Sequence, residues 1–118
     1  EQITWVTWDH NETLSSTAGG RNRSVSLDKA DITENWPLIR YLLDDPIYYE
    51  MYTNYLAETI AGPFNADKMT TTYQTIAALI APYAANDVGE ATFNNAVQEL
   101  INYSYQRAEA VETFLANK

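Results

Sequence analysis

Asn35-Trp36-Pro37-Leu38-Ile39-Arg40-Tyr41-Leu42-Leu43-Asp44-Asp45-Pro46-Ile47 is the stretch on which the fold reading turns. It holds two helix starts in succession. Pro37 fits the first turn of a helix, where a missing N–H costs nothing. Leu38, Ile39, Leu42 and Leu43 then recur at helical spacing and predict a buried stripe. Asp45-Pro46 restarts the chain, with Asp45 as N-cap and Pro46 at the first helical position. Ile47, Met51, Tyr55 and Ile60 continue the pattern until Gly62-Pro63 stops it.

The reading extends toward the C-terminus. Asn65 is placed to cap a third helix, with Asp67 in its first turn, where a negative charge is favoured. Met69, Tyr73, Ile76, Ala77 and Ile80 form its expected inner face, and Pro82 is expected to kink or end it. Asn86 to Gly89 read as a turn. A last helix is predicted from Glu90 onward, with Phe93, Val97, Leu100, Ile101, Tyr105, Ala108, Val111 and Leu115 on its buried face.

Toward the N-terminus the character changes. Gln2-Ile3-Thr4-Trp5-Val6-Thr7-Trp8 is β-branched and aromatic, which favours a strand. Both of its faces carry large apolar groups, so it needs neighbours on each side. Residues 9–31 hold few large apolar groups and read as one long loop, a kind of segment that is usually functional or disordered. The expected fold class is therefore mainly α: about four helices over 32–118, preceded by a short strand at 1–8 and a turn and long loop at 9–31. The 118 residues suffice for one domain, or a fragment of one, and no internal repeat divides them.

Composition narrows the function. Sixteen acidic residues against seven Lys and Arg give a net charge of -9, which repels nucleic acid and an anionic membrane surface. The absence of cysteine removes disulfides, thiolate metal sites and a cysteine nucleophile. Chain and charge together predict no nucleic-acid partner and no membrane insertion.

Trp8-Asp9-His10-Asn11 is the one segment that looks like chemistry. A carboxylate at a strand end, with an amide two residues on, can offer two oxygens to a hard cation such as Mg²⁺. The same residues also make an ordinary turn, since Asp and Asn bond nearby backbone amides, and spacing alone prefers that turn. His10 is the only histidine, so a zinc site of the usual kind is not available. Gly19-Gly20-Arg21-Asn22-Arg23 is the only basic cluster, but lacks the strand and helix of a phosphate loop. Arg40 and Arg107 sit among apolar helical residues and are each expected to pair with an acid between helices. Tyr48, Tyr49, Tyr52 and Tyr55 cover more than one face of their helix, which means either a buried helix or a partner surface.

These residues resemble a known family. The run from Asn35 to Pro46, followed by Tyr52, Tyr55 and Leu56, then Gly62-Pro63-Phe64-Asn65, then Leu79-Ile80-Ala81-Pro82-Tyr83, resembles the C-terminal region of the CotH family. These are the spore coat protein H group of atypical kinases. Phe93, Arg107, Val111 and Phe114 fit the same pattern, and Trp8-Asp9-His10-Asn11 resembles the family's Asp-x-Asp or Asp-x-Asn segment. The resemblance implies a protein-kinase-like fold with a helical C-terminal lobe, and transfer of the γ-phosphoryl group of ATP to protein hydroxyls. It implies that Asp9 binds Mg²⁺, with Asn11 at the second position supplying an oxygen but no charge. It further implies that the nucleotide-binding lobe, with its phosphate-contacting lysine and catalytic aspartate, lies ahead of Glu1. On that reading the chain is a C-terminal fragment, inactive alone, whose parent uses Mg²⁺, ATP and a protein substrate. An extracytoplasmic or spore-coat location is the corresponding leaning. The competing expectation is a non-catalytic, acidic helical interaction module.

Overall fold

The computed structural model describes residues 26–118, together with the isolated positions Thr4 and Leu14. The strand expected over 1–8 and nearly all of the loop expected over 9–31 fall outside the described residues. Four α-helices make up the rest: α1 (Pro37–Asp44), α2 (Pro46–Ala61), α3 (Ala66–Val88) and α4 (Glu90–Asn117). A 3-10 turn at Lys29–Asp31 precedes them, inside the segment read as loop. The mainly α class expected from the sequence is what the described residues adopt.

Local chemistry sets most of the boundaries. Pro37 and Pro46 stand in the first turns of α1 and α2. The Asp45 carboxylate accepts from the amides of Ile47 at 2.8 Å and Tyr48 at 3.4 Å, taking up donors the helix leaves unpaired. Asn65 does the same for α3 by accepting from the Lys68 amide at 3.2 Å. At Gly62 the α2 chain closes on the Glu58 carbonyl, and an added Cβ would stand 3.0 Å from that oxygen. In the threonine-rich start of α3, Thr71, Thr72 and Thr75 donate their hydroxyls back to the carbonyls of Asp67, Lys68 and Thr71, so these polar groups are satisfied within the helix.

Two boundary expectations are narrowed. α3 does not end at Pro82, which lies inside the helix. The turn expected over Asn86–Gly89 shrinks to Gly89 alone, whose positive φ of 86° separates α3 from α4. Asn86 remains helical, and its side-chain amide donates to the Pro82 carbonyl at 2.9 Å.

α3 and α4 form a long antiparallel hairpin, and α2 lies across the C-terminal half of α4. The buried seams are small and partly polar. Thr53, Ala66, Ser104 and Val111 are the buried positions among the described residues. Ser104 donates to the Leu100 carbonyl at 3.1 Å and faces the Tyr73 hydroxyl at 3.5 Å, so the α3–α4 contact needs no large side chain there. Thr53 donates to the Glu50 carbonyl at 3.0 Å and accepts from Lys118 Nζ at 2.9 Å, tying the end of the chain to α2. Tyr52 meets the ring of Phe114 edge-on at 6.2 Å between centroids.

Burial departs from the expected stripes. In α1, Leu38, Ile39 and Leu42 are exposed, and only Leu43 of the predicted four lies half-buried. In α2, Ile47, Met51 and Tyr55 face outward, while Tyr49, Tyr52, Thr53, Leu56 and Ile60 form the inner face. Ile76 and Ile80 of α3 and Tyr105 of α4 are also exposed.

Candidate functional site

The sequence-predicted metal residues Asp9 and Asn11, with His10 and the Gly19–Arg23 cluster, lie outside the described residues. What the described residues show is the ground onto which that part of the chain leads. Residues 26–32 are strapped to α1 and α2 by three side chains. Arg40 is the principal one. Its Nη1 donates to the carbonyls of Lys29 at 3.3 Å and Ile32 at 3.2 Å, and its Nε donates to Asp44 at 2.8 Å. The acid partner expected between helices is thus one turn away on α1 itself, and the contacts that bridge elements are to backbone carbonyls. Lys29 reaches Asp44 at 3.8 Å and sits 5.0 Å from the centre of the Tyr49 ring, a cation–π contact. Tyr52 donates its hydroxyl to the Leu27 carbonyl at 3.0 Å.

The protonation states suit these roles. The Arg40 hydrogen bond holds the Asp44 carboxyl below its ordinary value, against slight desolvation, and the charges of Arg40 and Lys29 add to it. Burial raises the Tyr52 phenol above its ordinary value, although the nearby Arg107 charge opposes this. Tyr52 therefore stays a hydrogen-bond donor at neutral pH.

Between residues 26–28 and α4 lies an open cleft of about 490 Å³. Ser26, Asp28, Gln106, Arg107, Glu109 and Thr113 supply its polar groups, and Leu27 and Phe114 its apolar wall. Asp28 is already engaged in part, since it caps the 3-10 turn by accepting from the Ala30 amide at 2.9 Å. The cleft could position a polar group by charge pairing at Arg107. A second cleft of about 330 Å³ lies between the start of α3 and α4 and is lined by Asp67, Tyr105, Glu109 and Glu112. There the Tyr105 hydroxyl donates to Asp67 at 2.6 Å, which raises the Tyr105 phenol above its ordinary value. Among the described residues, no three His, Cys, Asp or Glu side chains come together as a metal set.

Sequence reasoning missed Asp28 and the Arg40 strap. A Ser-x-Asp string has the form of any turn, and carbonyl acceptors eight and eleven residues away leave no mark in the sequence. The tyrosines of α2 divide into two sets. Tyr49 and Tyr52 turn inward, 6.3 Å apart, whereas Tyr48 and Tyr55 are exposed. Any partner surface on α2 consists of the second pair, not of Tyr49.

The sequence model of the family described as CotH kinase protein matches residues 1–111. No curated protein and no solved structure matches the chain. Among the described residues no helix is long and apolar enough to cross a membrane.

Proposed function

The chain belongs to the CotH family, and on that premise we propose that it is the C-terminal part of a protein kinase that passes the γ-phosphoryl group of ATP to protein hydroxyls. The observation that carries this reading is the extent of the family match, which runs from Glu1 through Val111 and so takes in Trp8-Asp9-His10-Asn11 as well as the helices. In this reading Asp9 is a Mg²⁺ ligand, and Asn11 offers an uncharged oxygen beside it. Bound Mg²⁺ neutralises phosphate charge in such reactions. The work of α1–α4 is support: Arg40, Lys29 and Tyr52 fix the segment through which the Asp9 turn joins the helices. A lysine to contact phosphate and an aspartate to receive the substrate proton belong, on this reading, to a lobe ahead of Glu1. The 118 residues by themselves are then without phosphotransferase activity. A spore-coat or other extracytoplasmic setting fits the family.

The test is phosphotransfer by the full-length protein. Asp9→Ala is expected to lower Mg²⁺-dependent transfer from ATP to protein by at least about 100-fold, the scale of losing a group that holds transition-state charge. Unchanged far-UV circular dichroism would show that the fold is kept. Normal phosphotransfer by the variant would remove Asp9 from the metal site. The other reading, a non-catalytic interaction module, draws on the exposed aromatic residues Tyr41, Tyr48, Tyr55 and Tyr83.

A further inference from the structure

The far half of the α3–α4 hairpin differs from the rest of the molecule in its charge. Residues 69–86 and 91–98 contain no Asp, Glu, Lys, Arg or His. At the chain's average of 19% charged residues, about five would fall there, and loss of charge is what marks the centre of a protein interface. The same region holds an open apolar groove of about 180 Å³ between the two helices. Tyr73, Ile76 and Ile80 of α3 line one wall, and Phe93, Val97 and Leu100 of α4 the other. Ile76 and Ile80 remain 50% and 42% exposed within it.

A ridge stands beside the groove. Leu79 and Tyr83 are three residues on from Ile76 and Ile80, so they form the neighbouring row on α3. They are 74% and 75% exposed. One surface therefore carries both a groove and a projecting row of matching apolar side chains. A two-fold contact needs this combination, because each copy must supply the knob and the hole at once.

We propose that this face pairs with a second copy of the chain, the Leu79–Tyr83 ridge of each copy entering the groove of the other to make a four-helix bundle. Charge favours this occupant. Elsewhere a molecule of net charge -9 repels its own kind, but the hairpin face brings no like charges together. A basic partner finds little acid along the groove: Glu99 stands at its inner end beside Leu100, and Asp87 and Glu90 flank the Gly89 tip. The association goes beyond the kinase reading and does not involve Asp9, so either can fail without the other.

The experiment is sedimentation equilibrium of the 118-residue chain up to about 200 µM, a range that detects dissociation constants in the micromolar region. The expected result is a reversible dimer. Leu79→Glu and Tyr83→Glu, both at exposed positions, should keep the helical circular dichroism and weaken the dimer at least about 100-fold by placing a charge in an apolar contact. Tyr48→Glu on α2 should leave it unchanged. A monomer throughout the range overturns the proposal. So does a dimer that withstands both hairpin variants, or one that Tyr48→Glu dissociates.

Discussion

Arg40 shows what a single residue does for this architecture. Its guanidinium spans an acid on its own helix and two carbonyls of the incoming segment, a use of several donors in one plane that a lysine cannot repeat. Arg40→Met keeps much of the side-chain stem and removes the charge and the fork. The loss of the two carbonyl contacts is expected to cost about 1 kcal/mol, since the site is only half-buried. Asp44 reports the change directly. Its carboxyl is held below the ordinary value when folded, so its ion pair contributes stability above the unfolded-state pKa and loses it as pH falls through the folded one. In Arg40→Met the Asp44 titration should move up toward an ordinary carboxylate, and the stability gap from wild type should narrow at acid pH. An Asp44 carboxyl-carbon titration that does not move would show that Arg40 does not hold it. The sequence reveals Asp45 and Asn65 as caps because a cap acts on the next two or three amides. It does not reveal Arg40's acceptors, which depend on how a distant segment returns. The Asp9 and Asn11 assignment rests on resemblance, because two oxygen-bearing residues in a turn have no spacing that separates a metal ligand from a turn former.

At the scale of elements, two helix-breaking residues behave differently. Gly89 divides α3 from α4 and is open enough that an added Cβ would touch nothing within 4 Å. The cost of Gly89→Ala is therefore one of backbone alone: φ 86° and ψ 142° lie where side-chain-bearing residues are strained, by about 1–3 kcal/mol. Pro82 sits inside α3, exposed, with no N–H to give the carbonyl one turn back. Pro82→Ala restores that donor and gives up no buried contact, and should stabilise the chain by about 1–2 kcal/mol after the added freedom of the unfolded chain is counted. Urea unfolding of both variants reads the two signs together. A loss of stability in Pro82→Ala would mean that the proline shapes α3 for a contact made in solution. The breakers are legible in sequence, but their effects are not. A proline in a long helix can be carried by packing along α4, whereas a glycine at positive φ redirects the chain.

At the scale of the whole molecule, the unusual property is how little apolar material the described residues enclose. Among the described residues Val111 and Ala66 are the buried apolar side chains, while Leu38, Ile47, Leu79 and Tyr83 stand in solvent. Helical periodicity identifies an apolar face but not what covers it, which is why the stripes read in α1 and α2 were expected inside and, Leu43 and Ile60 excepted, lie outside. A thin core predicts a modest unfolding free energy, at or below the lower end of the range for a chain this size, about 6 kcal/mol. It also predicts a steep contrast between sites. Val111→Ala, at 3% exposure, should cost about 1–2 kcal/mol through lost burial and a residual cavity. Leu38→Ala should change stability by no more than about 0.5 kcal/mol. Equal costs at the two positions would refute the view that α1 presents its apolar face to solvent. Repeating the comparison at several protein concentrations separates the causes, because a face covered by another copy stabilises more as concentration rises and one covered within the chain does not.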